Sequence, residues 1–136
     1  MAALTVQLRS VSGTKAALGF AGGHGLTVDR PDGKAGGRGL GFNGGELLAL
    51  AIGGCFCNDL QYVAHEMGIA LTMIAIDVRL ELDGAPLLAT SADLKVEVAS
   101  ADGDDDLAAL VRKAREISMV SNSLERGLRV TMSRAG

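Results

Sequence analysis

The chain has 136 residues, 48% hydrophobic and 21% charged, with a net charge of −3, a balance that fits one globular domain able to build its core without disulfides or metals. No basic stripe accompanies that charge and only Phe20, Phe42, Phe56 and Tyr62 are aromatic, so phosphate neutralisation and base stacking, and with them nucleic-acid binding, have no support. Met1 to Ser10 lacks a secretory pattern, and the apolar uncharged stretch Leu47 to Asn58 falls short of the ~20 residues of a membrane span, so the expectation is a cytoplasmic protein, with no membrane partner, whose two cysteines stay reduced.

In chain order, Leu4 to Val11 and Thr14 to Phe20 read as two strands joined around Ser12-Gly13, and His24 to Arg30 as a third. Pro31 to Gly45 then reads PDGKAGGRGLGFNGG, and eleven of the nineteen glycines lie between Gly19 and Gly45. Glycine permits positive φ and close backbone approach at a cost in order, so this run is expected to be a mobile or ligand-facing loop. It lacks the spacing of a phosphate cradle.

Asn43 to Gly68 predicts one helix of about 24 residues. Asn43 and Glu46 form a capping-box pattern, and Gly68 suits a left-handed C-terminal position. Leu47 to Cys57 carries no charge on any side, so the helix is expected to be covered all round, by its own fold or by a second copy. Next, Ile74, Ile76, Val78, Leu80 and Leu82 alternate with polar or small residues, as do Leu94, Val96 and Val98, which predicts an antiparallel pair. The acidic run Asp102 to Asp106 precedes helical spacing at Leu107, Leu110, Val111, Ala114 and Ile117, where carboxylates meet the positive end of the dipole. Asn122 and Glu125 suggest a second short helix stopped at Gly127, and Leu128 to Ser133 alternates as a last strand. The predicted order is β-β-β-α-β-β-α-α-β, an α+β fold with antiparallel sheets around a long buried central helix, in a single domain over residues 1–136.

Cys55 and Cys57 are the chemically distinct residues. Two apart on a helix, they point away from one another, so neither a disulfide nor a C-x-x-C redox pair is expected. Cys55 shares its face with Ala51, Ile52 and Asp59. The carboxylate of Asp59 repels a thiolate at Cys55, so a thiolate there calls for a cation, and Arg30 and Arg38 are the candidates. Plain packing of the thiols stands beside reactivity as a reading. Gly53 and Gly54 each cost a helix about 1 kcal/mol relative to alanine, and room beside Cys55 is the expected return. His24, His65 and the cysteines do not supply four local ligands, so neither a metal nor another cofactor is expected. Ser118, Ser121 and Ser123 have no nucleophile-elbow context, and capping or turn roles are expected of them.

The run ELLALAIGGCF, with MVSNSLERG further on, resembles the OsmC/Ohr family of organic hydroperoxide reductases. The order of elements is similar over nearly the whole chain, while the specific motifs cover Asn43 to Asn58 and Ile117 to Gly127. The resemblance implies a peroxiredoxin-like role in the oxidative stress response, in an intertwined homodimer with two sites at its interface. There a cysteine thiolate attacks a hydroperoxide and a second cysteine resolves the sulfenic acid. Residue by residue, the attacking cysteine falls on Cys55, and the resolving cysteine falls on Ser118. The family glutamate falls on Gly45, with Glu46 next to it, and the family arginine is nearest to Arg38. Two functions follow as expectations. In one, Cys55 is a one-cysteine peroxidase reduced by an external thiol or by Cys57, with Arg38 stabilising charge and Asp59 or Glu46 positioning the arginine. In the other, a non-catalytic dimer binds an apolar or thiol-reactive small ligand.

Overall fold

The computed structural model describes residues 1–136, which divide into two compact units, Met1–Leu48 and Ala49–Gly136. The first unit holds an antiparallel meander of β1 (Gln7–Ser10), β2 (Ala17–Ala21) and β3 (His24–Val28). The β2–β3 connection is the two-residue turn Gly22-Gly23, with Ala21 opposite His24 and Gly22 at φ 59°, a positive value that glycine takes without strain. β1 is shorter than its apolar alternation predicts. Leu4 and Val6 lie outside the paired register and stay exposed.

The glycine-rich run, expected to be mobile or ligand-facing, is tied down around one buried acid. Asp29 Oδ2 accepts from the backbone N–H groups of Arg38 and Leu40, both at 3.1 Å, and Oδ1 accepts from Arg30 N at 2.8 Å. Asp29 N in turn donates to Phe42 O, and Phe42 N to Thr27 O. Two glycines are required by this closeness. A Cβ at Gly37 would come within 2.6 Å of Arg30 Cβ, and one at Gly41 would overlap the Thr27 backbone. The run ends in the predicted capping box: Glu46 N donates to Asn43 Oδ1 at 2.9 Å, and Asn43 N donates to Glu46 Oε1 at 3.0 Å, so each side chain satisfies a helix-start donor.

That cap opens α1 (Gly44–Met67), which continues through the second unit until Gly68 at φ 69° ends it. α1 is long and apolar enough to cross a membrane. In this fold one face is a core face, with Phe56, Leu60, Val63 and Ala64 buried. The opposite face is not covered all round within the chain: Leu50 is 54% and Tyr62 66% exposed.

The buried face of α1 packs on the hairpin of β4 (Leu71–Asp83) and β5 (Leu88–Ser100) and on α2 (Leu107–Ile117). The alternation predicted there is the one observed: Ile76 lies opposite Val96 and Val78 opposite Leu94, half-buried toward the core. Leu82 departs from it. It is 48% exposed, next to a register shift at which Thr90 of β5 is passed over between the pairs Glu81–Ser91 and Leu82–Ala89. The N-cap of α2 is Asp106, whose Oδ1 accepts from Ala109 N at 3.0 Å.

Two expectations fail beyond α2. The short helix α3 spans Met119–Arg126 and its N-cap position is Ser118, not Asn122. Asn122 and Glu125 lie inside it and bind Arg115 of α2, with Arg115 Nη1 donating to Asn122 Oδ1 and Nη2 to Glu125 Oε1, both at 2.7 Å. Leu128 to Ser133 forms no strand. Its alternation is of strand type, but no edge in the chain pairs with it, and Leu128, Val130 and Met132 are 68, 84 and 94% exposed. The fold is thus α+β, with two antiparallel sheets and three helices.

Candidate functional site

Cys55 stands in the middle of α1, held by a helix whose neighbouring turns are anchored at Ile52, Phe56 and Leu60. Asp59 is four residues on and therefore on the same face. Its carboxylate is drawn into the fold, with the residue 7% exposed, and the Cys55 thiol donates to Oδ2 at 3.6 Å. Gly53 serves packing, because a Cβ there would meet Val78 Cγ2 at 2.9 Å; a Cβ on Gly54 would meet nothing within 4 Å, so the open space in this part of the helix lies at Gly54.

The third member comes from 63 residues away. Between α2 and α3 the chain breaks at Ser118, which is extended at φ −66° and ψ 104°. Ser118 N donates to Arg115 O and Asn122 N donates to Ser118 O, while the Arg115 clamp on Asn122 and Glu125 holds the corner. Ser118 is completely buried, and its hydroxyl, expected to cap or turn, makes no capping bond. It donates instead to Cys55 Sγ at 3.8 Å. The half-buried sulfur therefore sits between a hydroxyl donor and a carboxylate acceptor. The arrangement gives the thiol hydrogen an acceptor on one side and the sulfur a hydrogen-bond donor on the other.

The other sequence candidates lie apart from this trio in their bonding. Cys57 is a half-buried free thiol with no hydrogen bond to Cys55. Glu46 is engaged in the cap of α1. Arg38 is exposed, and its backbone N–H, not its guanidinium, serves Asp29. Arg30 is engaged through Nη2 by Asp29 Oδ1 at 3.0 Å and by the carbonyl of Lys15, while its Nε is buried without a partner. A cleft of about 260 Å³ opens in the first unit among Lys15, Ala17, Val28, Arg30, Phe42 and Gly44, and neither cysteine lines it. No three His, Cys, Asp or Glu side chains converge as metal ligands would.

Sequence reasoning missed two residues that organise these regions. Asp29 reads as an ordinary polar strand residue, and its one signal is the adjacent Arg30. Arg115 reads as a helix-end cation, and the spacing of Asn122 and Glu125 that marks its clamp resembles a capping box.

A family model for OsmC-like protein matches residues 36–133 of the chain. Among curated proteins none matches. An OsmC-like protein of unknown function from Vibrio cholerae superposes with a TM-score of 0.79 at 12% identity, covering 92% of this chain and 95% of that one. An organic hydroperoxide resistance protein OsmC from Legionella pneumophila reaches 0.63 at 21% identity, over 91% and 90% of the two chains. The organic hydroperoxide resistance protein OhrB of Bacillus subtilis reaches 0.56 at 23% identity, over 89% of each.

Proposed function

Because this chain belongs to the OsmC-like protein family, we propose that it is a thiol-dependent redox protein in which Cys55 reduces hydroperoxides by a one-cysteine mechanism. The observation that carries this reading is the contact between Ser118 Oγ and Cys55 Sγ. These are the two positions that the family likeness pairs as resolving and attacking residues, and Cys55 is free as the attack requires. In the reaction the sulfur forms a bond to the terminal peroxide oxygen, the O–O bond breaks, the alcohol leaves and Cys55 becomes a sulfenic acid. A hydroxyl at Ser118 forms no disulfide. One molecule of external thiol then displaces water to give a mixed disulfide, and a second releases Cys55. Arg38 is the cation proposed to approach the thiolate. The protein acts as a homodimer in the reducing cytoplasm, the second copy covering the exposed face of α1.

A second reading, a non-catalytic dimer holding an apolar or thiol-reactive ligand, is favoured by one observation. Gly45 stands where the family glutamate falls, and the adjacent Glu46 is bound in the helix cap. Hydroperoxide consumption by wild type and Cys55→Ser, with a dithiol reductant supplied, separates the two. The peroxidase reading requires the variant to lose turnover, and equal rates end it.

A further inference from the structure

Reduction of a hydroperoxide at a thiol moves one proton as well as one oxygen. The thiol must lose its proton to attack, and the departing alkoxide must gain one, since an unprotonated alkoxide is a poor leaving group. Gly45 offers no side chain for this and Glu46 is engaged at the helix start. The carboxylate that touches the reacting sulfur is Asp59, through Oδ2 at 3.6 Å, one turn along the same rigid helix. It is 7% exposed, so its place beside the sulfur is set by packing and not by a flexible surface side chain. Ser118 Oγ donates to the same sulfur and leaves Asp59 as the acceptor for the thiol hydrogen.

On the reading of Cys55 as the peroxide-reducing thiol, we infer that Asp59 is the proton shuttle of the reaction, a catalytic residue in its own right. As the Cys55 sulfur bonds to the terminal oxygen of an organic hydroperoxide, the thiol proton passes to Asp59. As the O–O bond breaks, Asp59 returns that proton to the alkoxide, which leaves as the alcohol. The sulfenic acid keeps the hydrogen of the terminal oxygen, and Asp59 ends ionised, as it began. In the following step the incoming external thiol gives its proton to Asp59. The carboxyl passes it to the departing hydroxide, which leaves as water while the mixed disulfide forms.

The test varies the need for that proton. A peracid releases a carboxylate, which needs no protonation to leave, whereas an alkyl hydroperoxide releases an alkoxide, which does. Single-turnover oxidation of Cys55 is followed by mass for wild type, Asp59→Asn and Asp59→Glu, with tert-butyl hydroperoxide and with peracetic acid. Asp59→Asn is expected to slow oxidation by the alkyl hydroperoxide on the order of a hundredfold, the usual worth of a general acid–base group, and oxidation by the peracid at least about tenfold less than that, since there only the removal of the thiol proton is lost. Asp59→Glu, which keeps the carboxyl and serves if the amide variant does not fold, is expected to recover part of the alkyl hydroperoxide rate. Equal losses with both oxidants in either variant would show that Asp59 returns no proton to the leaving group and overturn the shuttle while leaving the peroxidase reading intact. Failure of tert-butyl hydroperoxide to oxidise wild-type Cys55 overturns both.

Discussion

Ser118 Oγ lies 3.8 Å from Cys55 Sγ, so a thiol in place of that hydroxyl would put two sulfurs in van der Waals contact, where side-chain rotation can bring them to the ~2.05 Å of a disulfide. Ser118→Cys is expected to form a disulfide with Cys55 on hydroperoxide treatment, read as the loss of two hydrogens in the intact mass and as a linked peptide pair. Persistence of two free thiols would break the correspondence between these positions and the family's cysteine pair. Asp29 supports a prediction of another kind. The N–H of Leu40 above all, with those of Arg38 and Arg30 and the Arg30 guanidinium, holds its carboxyl below the ordinary value of 3.8 against the opposing effect of burial. Because the folded value is the lower one, its stabilisation of the glycine-rich loop is complete above about pH 3.9, the unfolded value, and is lost as pH falls through the folded value. Amide exchange of Arg38 and Leu40 should therefore accelerate in that acid range in wild type. In Asp29→Asn it should be fast already at neutral pH, and unchanged exchange there would count against the clamp.

At the scale of elements, local rules were enough wherever an element's signals lie within its own segment. Asn43 and Glu46 mark the start of α1, Gly68 its end, and the alternation of β4 and β5 their core faces. The same rules misplaced the start of α3, because Asn122 and Glu125 satisfy the spacing of a cap while their side chains answer Arg115 in the preceding helix. The paired glycines of α1 show the limit most directly. In sequence they are equivalent interruptions; in the fold Gly53 faces Val78 and Gly54 faces open space. Gly53→Ala is expected to destabilise, since overpacking against a branched side chain costs about 1–3 kcal/mol and outweighs the helix gain of about 1 kcal/mol. Gly54→Ala is expected to keep that helix gain in a monomer and to lose it where a second chain lies against this face. Chemical denaturation of both variants at low and high protein concentration measures the difference.

For the molecule as a whole, the surfaces left uncovered bear on assembly. Leu50 and Tyr62 on α1, and Leu128, Val130 and Met132 in the terminal segment, are apolar and exposed in the isolated chain. The proposed second copy would cover this apolar surface and offer the strand-patterned tail an edge to pair with. Sedimentation of the wild-type protein at low micromolar concentration is expected to show a dimer, and Leu50→Asp to shift it toward monomer. A wild-type folded monomer would rule the homodimer out.

The choice of Cys55 came from the family resemblance; the sequence by itself determined the α+β class, the run of elements as far as α3 and the caps of α1. All of these rest on signals between residues a few positions apart, where backbone geometry alone decides which side chains meet. Tertiary structure decided the rest. It brought Ser118 to Cys55 across 63 residues, folded the glycine-rich run around Asp29 and left Leu128 to Ser133 without a sheet edge. Each of those outcomes depends on which distant groups packing leaves within reach, and a strand in particular forms only when an edge supplies the hydrogen bonds its own backbone cannot make. The helix around Cys55 was therefore legible in the chain, while the hydroxyl that faces the sulfur, paired with it beforehand only by the family resemblance, was brought there by the fold.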